Sequence, residues 1–179
     1  MSTGTDDSQH APPPEVLTLL HKIKGALSVW IADVELELGL RSGALSFDHP
    51  LHGATVMVVV EAPDPPAADP DADADAADER TPAGCSVGVF VILGDYADVR
   101  GDDEALTRLF GLNARLMSCA IGLLRLSQDE TALALCRRLP AASVDITEVR
   151  ELVDAMIWEY ADHAGHLSHV PVADSAAAS

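Results

Sequence analysis

The sequence predicts an α+β fold in which an antiparallel sheet of about five strands packs with three helices. The predicted order of elements is α-β-β-β-β-α-β-β-α. Two changes of apolar period, from 3.6 residues to two and back, separate helices from strands. The strand-like runs follow one another through turns or one long loop, which favours antiparallel pairing with helices on one face. No glycine-rich phosphate loop follows any of these runs, which argues against a doubly wound nucleotide fold.

The first helix begins after three prolines at residues 12–14, where a helix N-terminus tolerates them. From Val16 to Val34, apolar residues recur at alternating spacings of four and three. This spacing places them on one face and predicts an amphipathic helix of about four turns.

The next four runs have the period of strands. Apolar and polar residues alternate from Val34 to Leu40, which predicts a half-buried strand. After a turn at residues 41–43, a second short run ends near His49. The β-branched run Thr55–Glu61 predicts a central strand covered on at least one face. Residues 85–93 then predict another strand, which ends at a Gly-Asp pair.

An acidic low-complexity segment separates the last two of these strands. Residues 63–84 contain seven carboxylates, five prolines and no large apolar side chain, so nothing in them offsets the entropy cost of ordering. We therefore expect a disordered loop inside one domain that spans residues 15–169. Residues 1–14 are expected to form a disordered tail, and residues 170–179 a loose one.

The second helix and a hairpin follow. Asp102 and Asp103 precede an apolar run that reaches Met117, and carboxylates suit the exposed N–H groups of a helix start. Residues 120–126 and 132–139 are short extended runs on either side of a polar turn, which predicts a β-hairpin.

The last predicted helix has the strongest start signal in the chain. Asp145 is followed three residues later by Glu148, the spacing of a capping box. A continuous apolar stripe from Ile146 to Tyr160 follows, and the helix is predicted to end at about His163.

Charge and cysteine content limit the classes of partner and compartment. Eleven Lys and Arg residues against 29 Asp and Glu give a formal net charge of −18, which repels nucleic acid and anionic membranes. Such a charge favours basic or mixed-charge protein partners, although it can equally reflect the codon composition of the genome. Three cysteines without a CxxC pair, together with the lack of a signal peptide or apolar span, predict a cytoplasmic protein.

The sequence contains few residues with the spacing of a catalytic or metal-binding site. His163, His166 and His169 are three residues apart and could approach one metal ion, but a helix C-terminus also favours histidines for electrostatic reasons alone. We favour the second interpretation and expect no metal or other cofactor. There is no GxSxG motif, and each cysteine lies in an apolar segment, where the thiol stays protonated. The protein is therefore not expected to be an enzyme.

Two helices offer candidate surfaces for a partner protein or a dimer. The first has a heptad-like stripe, although this stripe can also simply cover the sheet. The second is apolar on more than one side, and a helix that exceeds its core face often contacts a partner. The candidate residues are Leu20, Leu27, Trp30, Leu106, Leu109, Leu112 and Leu116.

The C-terminal part of the chain has a recognisable succession of elements. A leucine-rich helix with Asn113 (LFGLNARL) is followed by the hairpin AIGLLRLSQDETALALCRRLP and by a long amphipathic helix that contains Trp158. This succession, over residues 104–165, resembles the C-terminal half of the type III secretion chaperone-like fold. That fold is shared by CesT-type secretion chaperones and bacterial YbjN-type proteins.

The resemblance implies a homodimeric, acidic, cytoplasmic protein. A member of the secretion-chaperone branch would hold an unfolded or extended segment of a client protein. A member of the YbjN branch would act as a regulatory or sensing domain without a dedicated client. We therefore expect a chaperone-like or adaptor protein, with the regulatory role as the alternative.

Overall fold

The computed structural model describes residues 12–63, 84–141 and 144–167. The predicted tails and acidic loop lie outside these ranges, apart from residues 12–14, Pro63 and Gly84. The helices are α1 (Pro14–Leu27), α2 (Asp103–Gly111) and α3 (Ile146–Leu167). The strands are β1 (Glu35–Leu38), β2 (Ser42–Asp48), β3 (Thr55–Glu61), β4 (Ser86–Asp95), β5 (Ala120–Arg125) and β6 (Thr131–Pro140).

The predicted α+β class and the predicted order of elements are confirmed. All six described strands form one antiparallel sheet in the order β1-β2-β3-β4-β6-β5. The strand number is six rather than about five, because the short runs on both sides of the first turn join the sheet.

The core lies between one face of the sheet and the helices. In the middle strands, Leu45, Val58 and Val89 lie opposite one another and are fully buried. Helix α1 packs over β2 and β3, whereas α3 packs over β4. Apolar side chains of α2 join the same core cluster.

Helix α1 has the predicted length of about four turns, since it contains 14 residues. It ends where the Ser28 hydroxyl and the Ser28 N–H both donate to the Lys24 carbonyl. The predicted apolar stripe continues beyond the helix through a tight turn, in which the Trp30 N–H donates to the Leu27 carbonyl. Trp30 therefore belongs to the turn after α1 and not to the helix.

Strand β1 is an edge strand and is less covered than its alternating sequence predicts. Val34 is buried and Leu36 is half-buried, but Leu38 is 51 % exposed and Leu40 is also exposed. The reason is that α1 lies over β2 and β3, so its cover does not extend along β1. The following turn also lies earlier than predicted, since Ser42 and Gly43 already belong to β2.

Helix α2 begins as predicted but is shorter. The Asp102 carboxylate accepts hydrogen bonds from the N–H groups of Glu104 (3.1 Å) and Ala105 (2.9 Å), which caps the first turn. The helix ends at Gly111 instead of near Met117, and a 3-10 turn follows. In that turn the Asn113 side chain accepts a 2.6 Å hydrogen bond from the Ile121 N–H. This bond directs the chain into β5.

Helix α3 starts at the predicted cap and is longer than predicted. The Asp145 carboxylate accepts a 3.3 Å hydrogen bond from the Thr147 N–H. The helix continues to Leu167, beyond the expected end at His163. Its buried face packs on the sheet through Val149, Val153, Met156 and Ile157.

Candidate partner-binding site

Most of the predicted partner-binding leucines lie inside the domain. Leu20, Leu27, Leu109 and Leu112 are buried in the core cluster. Leu106, Leu116 and Trp30 are half-buried and pack against the same cluster. These leucines therefore belong to or pack against the protein's own core, and Trp30 is the candidate residue that lines the most surface recesses of the described part of the chain.

That surface lies where the turn after α1, the turn between β2 and β3, and helix α3 meet. Four rings form a chain of contacts there, with centroid distances of 5.8 Å for Trp30 and His49, 6.0 Å for His49 and His52, and 6.4 Å for His52 and Trp158. Both tryptophans of the sequence are in this chain. We call this surface the aromatic corner; it consists of Val29, Trp30, His49, Leu51, His52, Arg150, Asp154 and Trp158.

His49 is the buried polar residue of the corner. It is 4 % exposed, its Nε2 atom lies 3.8 Å from Asp154 Oδ1, and its Nδ1 atom has no hydrogen-bond partner among the described residues. Burial lowers the pKa of His49; the nearby Asp154 carboxylate opposes this shift and the neighbouring His52 adds to it, so the net direction is downward. The imidazole is therefore neutral at neutral pH.

Arg150 holds the corner together from the side of α3. Its guanidinium carbon lies 5.3 Å from the centroid of the Trp30 ring, in a cation–π arrangement. Its Nε atom is 4.0 Å from Asp154 Oδ2, one helical turn further along. These contacts orient Trp30 against α3.

Trp30 lines three recesses in the described part of the chain, and two of these also have acidic side chains in their lining. A cleft of about 280 Å³ lies between the two tryptophans and is lined by His49, His52 and Asp154. A wider recess of about 480 Å³, also lined by Trp30, has three acidic residues in its lining, Asp33, Glu35 and Asp48. Around the cleft, Trp158 is 65 % exposed and Leu51 is 78 % exposed. The corner thus combines apolar and aromatic contacts with acidic groups, which suits a side chain with an apolar part and a positive charge.

The cysteine and histidine side chains considered for catalysis or metal binding do not form a reactive site among the described residues. Burial, with the Glu159 carboxylate beside it, raises the pKa of the Cys119 thiol to about 12, so this cysteine is a poor nucleophile. Among the described residues, no three His, Cys, Asp or Glu side chains are placed to hold a metal ion. The predicted histidine cluster is described only in part: His169 lies outside the described residues, and the side chain of His166 is not described.

Comparison with known proteins adds no relative. No family model, curated protein or solved structure matches this chain. No described helix is long and apolar enough to cross a membrane. The function must therefore be inferred from the chain itself.

The sequence contained a signal for the corner that its periodicity does not reveal. His49 and His52 flank a proline turn, and Trp158 falls at a position that the apolar stripe of the last helix leaves out. A tryptophan on the polar face of an amphipathic helix is a candidate binding residue by its chemistry alone. What could not be predicted is that the turn and the helix lie side by side.

We expect the stability of the domain to fall in mild acid because of His49. Its pKa in the folded protein is lowered from 6.5. Below about pH 6.5 the unfolded chain therefore binds more protons than the folded one, and the free energy of unfolding decreases as the pH falls towards the folded pKa. Denaturant titrations between pH 7.5 and 5 measure this slope. His49→Gln should reduce it, whereas His21→Gln, on the exposed side of α1, should leave it unchanged. An unchanged slope in His49→Gln would contradict the assignment of this pH dependence to His49.

Proposed function

We propose that this protein is a non-enzymatic protein-binding module, chaperone-like or adaptor in role, that holds a segment of a client protein at the aromatic corner. The observation that carries the proposal is the concentration of both tryptophans, with Arg150, around one cleft at the surface. Tryptophan and arginine are the residue types most enriched among the energetically dominant residues of protein interfaces.

The size of the cleft favours a side chain over a free ligand. Its volume of about 280 Å³ is at or below the lower limit of pockets for drug-sized molecules, which is about 300 Å³. A single large side chain of a client segment would occupy it between Trp30 and Trp158. The exposed side chains of Leu51 and Val29 would then contact the neighbouring residues of that segment.

The charge of the surroundings favours a basic segment. Within the described residues, neither Asp33 nor Glu35 pairs with a basic side chain. A lysine or arginine of the client could reach these carboxylates beside the Trp30 ring. The net charge of −18 would also speed the encounter with a basic partner.

The similarity to secretion chaperones and YbjN-type proteins supports the same proposal. That resemblance covers residues 104–165, and a member of the chaperone branch would hold an unfolded or extended segment of a client. A homodimeric, cytoplasmic protein is part of what that resemblance implies. Neither holding a client segment nor forming a dimer requires a catalytic residue.

Replacement of Trp158 tests the proposal. We expect the wild-type protein, immobilised and exposed to an extract of the cells that express it, to retain one dominant protein. Trp158→Ser should weaken binding of that protein, once purified, by about 30-fold, because loss of a dominant interface residue costs about 2 kcal/mol or more. Isothermal titration calorimetry measures the affinity.

Met117→Ser is the matched control. Met117 is 92 % exposed but lies before β5, outside the corner, so its replacement should leave the affinity unchanged. Equal weakening by both substitutions, or no weakening by Trp158→Ser, would show that the client does not bind at the corner.

One observation favours the regulatory alternative. The His49 Nδ1 atom is buried beside the cleft and has no partner in the described part of the chain, and a small ligand with a hydrogen-bond donor could satisfy such a group. A sensing domain would be stabilised by such a ligand alone. A rise in Tm with a small molecule, lost in His49→Gln and seen without any client, would favour this role over the chaperone-like one.

A further inference from the structure

The two histidines of the aromatic corner, His49 and His52, lie beside the cleft as a stacked pair. Their ring centroids are 6.0 Å apart and their planes differ by 18°. Trp30 contacts the first ring and Trp158 contacts the second, at centroid distances of 5.8 Å and 6.4 Å. Both imidazoles line the cleft between the tryptophans. A proton taken up by either ring therefore places positive charge at the site itself.

Among the described residues, the other charges that line the cleft come from α3. They belong to Arg150 and Asp154, which have opposite signs and lie 4.0 Å apart. The turn after α1 contributes the uncharged Trp30. Asp48 is adjacent to the pair in the chain but lines the wider recess instead. The charges in the lining of the cleft therefore cancel when both histidines are neutral, and the lining becomes positive when they are protonated.

His49 is the member of the pair whose protonation disturbs its surroundings. A protonated ring carries an N–H group at the buried Nδ1 atom, for which the described part of the chain offers no acceptor. The Nε2 atom lies 3.8 Å from Asp154 Oδ1, which is longer than a hydrogen bond, and Arg150 approaches the same carboxylate. Burial is the main cause of the lowered pKa of His49. His52 is exposed, so its protonation changes the charge of the cleft without burying that charge.

We propose that the histidine pair makes binding at the aromatic corner depend on pH, so that a basic client segment is held at neutral pH and released in mild acid. The proposal rests on the proposed function, because a client must first bind there. Neutral imidazoles offer aromatic rings and a hydrogen-bond acceptor to a lysine or arginine side chain, whereas imidazolium rings repel it. The client's positive charge and the protons therefore compete for one cleft, and binding is coupled to proton release.

Quenching of tryptophan fluorescence by iodide and by caesium tests the change of charge without any client. Both tryptophans of the sequence are in the corner, so the emission of the full chain reports on this surface. We expect the ratio of the iodide to the caesium quenching constant to rise by about twofold or more between pH 7.5 and 5.5, as positive charge appears beside the rings. His52→Gln should reduce this rise. His21→Gln, on the exposed side of α1, is the control and should leave the rise unchanged.

A synthetic peptide in which leucine and arginine alternate tests the consequence for binding. Its affinity, measured by isothermal titration calorimetry at constant ionic strength, should fall by about threefold to tenfold between pH 7.5 and 5.5. One histidine that titrates at 6.5 or below changes the affinity by no more than about tenfold at pH 5.5. The double variant His49→Gln/His52→Gln should bind the peptide equally at both pH values. His52→Gln alone, with an exposed substitution and a smaller expected fall, covers the case in which the double variant does not fold.

The two measurements separate failure of the pH dependence from failure of the proposed function. An unchanged quenching ratio, or equal affinities of the wild-type protein for the peptide at both pH values, would overturn the pH dependence. A peptide that does not bind at pH 7.5, together with a rising quenching ratio, would overturn the proposed basic client while the change of charge at the corner would stand.

Discussion

Gly43→Ala is expected to lower the free energy of unfolding by about 1–3 kcal/mol, the usual cost of overfilling a packed core. A Cβ atom at this position would overlap Leu20 Cδ1 and would lie 3.2 Å from the Glu37 carbonyl oxygen. Leu20 is fully buried and its methyl group cannot simply move away. Alanine is normally more favourable than glycine inside a strand. Destabilisation by Gly43→Ala would therefore show that α1 lies close to β2 at this position. Urea unfolding at constant m-value measures the effect.

Gly25→Ala is the matched control within α1. Nothing lies within 4 Å of a Cβ atom built at this helical glycine. This substitution should stabilise the protein by about 0.5–1 kcal/mol, because glycine is the poorer helix former. Opposite signs of the change in unfolding free energy for Gly43→Ala and Gly25→Ala would support the packing described for α1. A neutral or stabilising Gly43→Ala would mean that α1 lies further from the sheet.

Glu159→Ala is expected to cost about 2 kcal/mol, since it removes an ionised acceptor from several hydrogen bonds. Glu159 Oε1 accepts from the Met117 N–H (3.1 Å), the Ser118 N–H (2.6 Å) and the Ser118 hydroxyl (2.6 Å). Its Oε2 atom accepts from the Cys119 thiol (3.2 Å). One side chain of α3 thus holds the segment that leads into β5. Glu151→Ala, on an exposed position of the same helix, should change stability by no more than about 0.5 kcal/mol.

The contribution of Glu159 should also depend on pH. Burial raises the pKa of this carboxyl, but hydrogen bonds from Ser118, Cys119 and Met117 outweigh burial and lower it below 4.5. A lowered pKa means that the stabilisation is complete above pH 4.5 and is lost as the pH falls through the folded value. The difference in unfolding free energy between wild type and Glu159→Gln should therefore shrink in acid. A difference that stays constant down to pH 3 would contradict the anchoring role.

Local signals in the sequence predicted the fold because they act over a few residues. The β-branched run Thr55–Glu61 is a strand with the predicted bounds, and the Asp102 and Asp145 caps start their helices as expected. The predictions that failed depend on distant contacts. The exposure of Leu38 follows from where α1 crosses the sheet, and the early end of α2 follows from the bond between Asn113 and the start of β5.

Of the residues predicted to bind a partner, Trp30 is the one that belongs to the aromatic corner. Apolar periodicity shows which face of a helix is covered but cannot show whether the sheet or a partner covers it, so buried Leu20 and Leu27 were candidates equal to Trp30. His52 and Trp158 are far apart in the sequence and meet only because α3 returns across β4 to the turn after β2. No local pattern contains that juxtaposition.

The order of the strands has a consequence for synthesis of the protein. The chain from α1 to β4 pairs neighbour with neighbour, and this part of the sheet can form while the rest is still on the ribosome. The aromatic corner cannot form at that stage, because Arg150, Asp154 and Trp158 are in α3, which follows all six described strands. In a nascent chain the aromatic corner is therefore absent until α3 has left the exit tunnel and packed on the sheet.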